Sequence, residues 1–201
     1  MAFGLFLYVI IIISAVFHEF MHGYAADYLG DNTAKLLGRL TLNPLKHMEF
    51  FGTFLLPIVL VLIGGGFIGW AKPVPYNPAN LSDKKFGSTK VALAGPAANI
   101  LIAIIFGLII RFMGVQNMLT LAFSWIVYIN LWLAFFNLIP VPPLDGSKLL
   151  MDLFPNSRFF VSRMVFGGIF LALLVAVFVL PYISGVFYFL LTGGNFIPVR
   201  F

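Results

Sequence analysis

The 201-residue sequence predicts an all-α polytopic membrane protein of about five transmembrane helices, within a range of four to six, with a re-entrant segment and short membrane-associated β-strands. Hydrophobic residues make up 61% of the chain and charged ones 9%, where soluble domains carry about 25% charged residues. Mean hydropathy is +1.04. Several apolar runs approach or exceed the ~20 residues that cross a ~30 Å hydrocarbon core as a helix. They are separated by short loops, with no repeat, long linker or soluble domain. Residues 1–201 are therefore expected to form a single domain, with a core over about 5–155 and C-terminal helices over about 160–191.

The first run, Phe3 to Tyr28, is 26 residues long, about 39 Å as a helix, and ends at Gly30 and Asp31. It lacks a basic leader and a small-residue cleavage site, so it is read as part of the mature protein. From Asp31 to Glu49 the chain turns polar. Arg39 to Asn43 alternates polar and apolar before Pro44, a short-strand pattern, and the segment is read as surface or interfacial. Phe50 to Trp70 is apolar but holds Pro57 and the Gly64-Gly65-Gly66 triplet, and it leads into Lys72-Pro73-Val74-Pro75-Tyr76, which must be extended. Val91–Ile110, Met118–Ile139 and about Val161–Leu180 are clearer spans. Tyr182–Leu191, behind Pro181, is shorter and is counted as a span.

The 12 Lys and Arg residues decide how Phe50 to Trp70 runs. If it crosses fully, Lys35, Arg39, Lys46 and Arg111 face the other eight across the membrane. If it is re-entrant, only Arg111 stands on the N-terminal side, and that asymmetry is the stronger. The N-terminus is then outside and the loop after the first helix cytoplasmic. Irregular backbone at membrane depth requires burial in protein or a water-filled cavity, so a re-entrant segment implies an internal site. The net charge of +5 is scattered through short loops. It points to membrane topology, and no nucleic-acid partner is expected.

His18-Glu19-Phe20-Met21-His22 places two imidazoles at i and i+4 of a helix, where both reach one metal while Glu19 can hold a water. Ionisable groups in an apolar helix cost at least ~2.5–3.5 kcal/mol each at mid-bilayer, which argues for function over ornament. The alternative is a buried His-Glu pair tying helices together. The chain has no cysteine, so His and carboxylate are the strong donors available. A catalytic zinc takes three protein ligands and leaves a position for water. Asp145 is the best third candidate, because it follows a helix broken by Pro140, Pro142 and Pro143. Its alternative role is an N-cap for the stretch from Gly146 to Phe154. His47 and Glu49 compete as donors, His47 being placed instead at the headgroup interface, and Tyr28 stands where a metzincin-type third histidine would be. Gly95 to Asn99 lets helices approach closely, a packing role weighed evenly against a direct catalytic one, with Asn99 expected to hydrogen-bond in the core. Trp70, Trp125 and Trp132 are read as lipid-facing or belt residues.

Taken together, His18 to His22, Gly95-Pro96-Ala97-Ala98-Asn99, Asn137 to Gly146 and Gly69-Trp70-Ala71-Lys72-Pro73-Val74-Pro75 resemble the site-2 protease family of intramembrane metalloproteases, in its short prokaryotic form without PDZ or CBS domains. The resemblance implies one zinc ion on His18, His22 and Asp145, Glu19 as general base, and Asn137 in the active site, binding the oxyanion or substrate backbone. It also implies that the His-bearing and Asp-bearing helices run parallel, which the re-entrant count satisfies. The expected activity is hydrolysis of peptide bonds in membrane-spanning substrates, with strands near Arg39–Asn43 and Lys72–Tyr76 capturing unwound substrate by edge addition. His18 lies about 22 Å along a helix starting at Phe3, so the metal is expected nearer the cytoplasmic face. The rivals are a divalent-cation transporter using the same donors as a transit site, and a non-catalytic scaffold in which the metal ties helices together.

Overall fold

A computed structural model describes residues 2–55, 71–114, 117–157, 163 and 165–194. They fall into two compact units, Met1–Gly87 and Ser88–Phe201. Among the described residues, three helices are long and apolar enough to cross a membrane, Phe3–Tyr28, Gly87–Met113 and Met118–Asn137. This is a membrane protein.

In the first unit, α1 (Ala2–Tyr28) is sorted by a spacing of four. Ile10, Ser14, His18, His22 and Ala26 are buried, while Leu5, Val9, Ile13 and Phe17 form an exposed apolar stripe. Residues at i and i+4 share a helix face, so this helix turns its polar groups inward and offers hydrocarbon to lipid. After it come the short α2 (Thr33–Leu36), a 3₁₀ turn at Pro44–Lys46 and a π-helical turn at Phe50–Leu55. The Tyr8 hydroxyl donates to the Thr53 carbonyl at 2.7 Å and so ties the last of these to α1. Pro57, the glycine triplet and Trp70, on which the re-entrant reading rests, lie outside the described residues.

The expected β-strands are not found: among the described residues every regular element is helical. At Arg39–Asn43 the chain turns, because the Asn43 side chain accepts from the Leu45 N–H and opens the 3₁₀ turn that Pro44 starts. Lys72–Tyr76 is extended but unpaired as a strand. Pro73 and Pro75 have no N–H to give a ladder, and the Lys72 and Val74 N–H groups and the Lys72 and Pro73 carbonyls are taken elsewhere. Lys72 N–H donates to His47 O at 2.8 Å, and the Arg39 guanidinium donates to the carbonyls of Lys72 at 3.0 Å and Pro73 at 3.4 Å. With those groups occupied, edge addition of a substrate strand loses its basis.

The second unit holds α3 (Gly87–Met113), α4 (Met118–Asn137), α5 (Gly146–Leu153), α6 (Val165–Phe178) and α7 (Leu180–Thr192). Helices in lipid associate through close packing and polar contacts rather than hydrophobicity, and the buried faces follow that rule. Gly168, Ala172 and Ala176 line α6, and Leu180, Ser184, Tyr188 and Thr192 line α7. Asn99, as expected, bonds in the core, its amide donating to Asn130 Oδ1 at 2.8 Å. Tyr188 OH donates to Ser124 Oγ at 2.8 Å, and Arg111 reaches the Leu190 carbonyl at 2.8 Å. Ala103, Ile110, Val127, Leu131 and Tyr188 fill the space between. The two C-terminal runs, expected as separate spans, are 14 and 13 residues long and meet at 50°. Pro181 stands in the first turn of α7 and cannot continue α6. Together the pair makes at most one crossing, giving three to four among the described residues.

Candidate metal centre

Three of the predicted residues come together. The ligand atoms of His18, Glu19 and His22 all lie within 4.8 Å of one another, with the two imidazole rings 4.6 Å apart and nearly perpendicular. Both histidines are buried, at 6% and 8% exposure. Two buried imidazoles beside a half-buried carboxylate form a compact donor set suited to zinc, so the residues fit the ion. His47 is not part of this group. It is 1% exposed, and its Nε2 lies 2.7 Å from the Thr41 carbonyl. The only group of three or more such donors among the described residues is His18, Glu19 and His22, which leaves Glu49 outside it as well.

Asn137 and Asp145 belong to the second unit and are placed near each other in sequence, at the end of α4 and the start of α5. The Asn137 amide donates to Leu133 O at 2.9 Å, one turn back on its own helix. Asp145 stands at the N-cap position of α5 but makes no side-chain capping bond to it, so the capping alternative does not describe it. What fixes this corner is Gly146: a Cβ there would overlap the carbonyls of Leu138 and Ile139. The Pro-rich loop therefore folds main chain against main chain. Asp152, further along α5, accepts from the Thr89 N–H at 3.1 Å and the Thr89 hydroxyl at 2.8 Å, anchoring α5 to the first turn of α3.

Sequence reasoning missed the contact nearest the chemistry. The Val74 N–H donates to Glu19 Oε2 at 2.7 Å, and Val74 is 6% exposed. Room for it comes from Gly23, where a Cβ would stand 3.0 Å from Val74 Cγ1. A second missed residue is Asp31, fully buried, which accepts from the Asn77 N–H at 2.6 Å, from Asn80 Nδ2 at 2.9 Å and from Thr33. Burial pushes its carboxyl upward, but the bonds from Thr33, Asn77 and Asn80 outweigh it and hold the group below the usual range. The readable signals were the Pro-Val-Pro triplet, which leaves a single N–H in three residues, and the Asp-Asn-Thr turn after α1.

Apolar crossing helices with a His-Glu-His cluster define a polytopic membrane protein bearing the donor set of a metallohydrolase. The profile of Peptidase family M50 matches residues 6–122 and 113–180. The chain belongs to this family, which is the site-2 protease family, and is a zinc-dependent metalloprotease. It is 39% identical over 159 residues to YwhC of Bacillus subtilis (75% of this chain, 69% of that protein). Against Rip2 of Mycolicibacterium smegmatis it is 32% identical over 152 residues (73% and 57%). MJ0392 of Methanocaldococcus jannaschii is 27% identical over 145 residues (72% and 33%). All three carry the designation zinc metalloprotease in their names. No solved structure matches the chain. Family membership decides against the transporter and the non-catalytic scaffold as readings of the protein.

Proposed function

We propose that the protein is an intramembrane protease that hydrolyses peptide bonds within or beside transmembrane segments of membrane-protein substrates, in regulated intramembrane proteolysis. His18, His22 and Asp145 hold one zinc ion, and residues 1–201 act as one catalytic domain. The observation that carries the reading is the His18-Glu19-His22 group on a helix that also carries an exposed apolar stripe, Leu5, Val9, Ile13 and Phe17, about 100° round from the buried histidines. Such a helix can offer hydrocarbon to lipid and still keep its chemistry inside.

When bound, zinc supplies Lewis acidity and lowers the pKa of a water toward ~7. The Glu19 carboxylate accepts the proton of the attacking water and later delivers it to the departing amine. Asn137 steadies the oxyanion or the substrate backbone. A helical substrate hides its carbonyls in i to i−4 bonds, so it must unwind before it reacts. In this reading the N-terminus is outside, on the charge asymmetry, and the site lies nearer the cytoplasmic face, on the position of His18 along α1.

The test is purified protein in detergent with a single-span substrate, following zinc content and turnover together. Glu19→Gln is expected to keep zinc and lose turnover, and Asp145→Ala to lose both. Cleavage that survives Glu19→Gln would sink the mechanism, and full zinc in Asp145→Ala would remove that residue from the ligand set.

A further inference from the structure

The segment Lys72–Asn77 is held at both ends and touches the site in its middle. At one end Lys72 N–H donates to His47 O at 2.8 Å, and Arg39 grips the carbonyls of Lys72 and Pro73. At the other end the Asn77 N–H donates to Asp31 at 2.6 Å. Between them stands the one N–H of the Pro73-Val74-Pro75 triplet, and it donates to Glu19 Oε2 at 2.7 Å. Gly23, one residue past His22, leaves the space into which the Val74 side chain fits. Proline at 73 and 75 fixes φ on both sides of Val74. The segment therefore works as a stiff strap with a single donor aimed at one carboxylate oxygen.

We propose that Val74 is a positioning residue whose backbone N–H holds Oε2 of Glu19, leaving Oε1 turned to the reacting water, and that the strap and its anchors Arg39 and Asp31 exist to aim that one bond. A carboxylate on a flexible side chain loses time in unproductive rotamers. A charge-assisted bond from a rigid backbone removes that freedom at its far end. Partners that orient a functional group in this way are worth about 10- to 100-fold when removed. The inference rests on Glu19 being the general base, as proposed above.

Val74→Pro deletes the N–H and sets its ring Cδ in the same direction, so Glu19 Oε2, 2.7 Å from that nitrogen, loses its donor and is also pushed off its place. Val74→Ala keeps the N–H and trims the side chain. In the detergent assay Val74→Pro is expected to lower kcat about 10- to 100-fold, with KM and zinc content close to wild type, while Val74→Ala stays within a few-fold of wild type. An unchanged or raised kcat in Val74→Pro would overturn the proposal, a rise marking the strap as a barrier rather than a mount.

A readout without turnover decides the case even where Val74→Pro does not fold. Protein labelled with ¹³C-proline and ¹⁵N-valine shows amide signals only from its three Pro–Val pairs, at 73–74, 140–141 and 198–199. Val74 is assigned by its loss in Val74→Ala. Its amide proton is expected far downfield in wild type and to move upfield in Glu19→Gln, and an unmoved signal would overturn the contact. Failure of the general-base reading looks different: turnover survives Glu19→Gln while the amide signal still shifts.

Discussion

The two units use polar side chains in different ways. In the first, side chains bond mainly to backbone: Glu19 to the Val74 N–H, Asp31 to the Asn77 N–H, Arg39 to the Lys72 and Pro73 carbonyls, Tyr8 to the Thr53 carbonyl, and His47 to the Thr41 carbonyl. In the second, three of the ties between helices join side chain to side chain, Asn99 to Asn130, Tyr188 to Ser124 and Thr89 to Asp152. The difference follows from what each must hold. Helices have spent their own N–H and C=O groups internally, so neighbours meet through side chains. An irregular segment has backbone groups to satisfy, and side chains that satisfy them also fix where it runs. The first unit thus places a loop against a carboxylate, and the second stacks rods.

Away from Asn137 and the Asp145 corner, substitutions in the second unit should accordingly act on stability, while those that touch Glu19 in the first act on turnover. The largest effect is expected from Gly146→Ala, where the new methyl meets the Leu138 and Ile139 carbonyls and neither can give way. A loss of about 3 kcal/mol is expected, read as a lowered thermal midpoint in detergent together with lost zinc as Asp145 shifts. A stable, fully zinc-loaded Gly146→Ala would show that the corner is not set by main-chain contact. Next is Asn130→Ala, which leaves the fully buried Asn99 amide without its partner. About 1–2 kcal/mol is expected in a membrane setting, with kcat nearly unchanged, and a large selective loss of kcat would blur the contrast between the units.

The smallest effect on stability is expected in the first unit, from Asp31→Asn, and it depends on pH. The folded pKa of Asp31 lies below its unfolded value of ~3.9. Its contribution is therefore complete above that value and is lost as pH falls through the lower folded one. Unfolding midpoints of wild type and Asp31→Asn should differ at neutral pH and converge below about pH 4. A constant gap across that range would mean that the carboxylate charge does not matter there.

How much of this was legible in the sequence depends on the reach of each signal. The His18-Glu19-His22 cluster was readable because i and i+4 neighbours are fixed by helix geometry alone, and the apolar runs announced the helices. The strands were misread because five alternating residues cannot be told from a capped turn. At Arg39–Asn43 the deciding interaction is the Asn43 side chain, not the pattern. The Val74 bond was hidden because its donor is backbone, common to every residue but proline, and its acceptor lies 55 positions away. Asp31 was read as the end of a helix, which it is, but its bonds to Asn77 and Asn80 join segments that no local periodicity links. The bend at Pro181 was marked in the sequence, and its cost to the span count was not drawn.

The strap makes contact with the site through its main chain, and Lys72, Pro73 and Pro75 turn their side chains to the exterior. Its chemistry is therefore carried by atoms that substitution at Lys72 leaves in place. That makes position 72 a mounting point for a reporter: a fluorophore or spin label there would ride two residues from the Glu19 contact and register its opening without sharing in it.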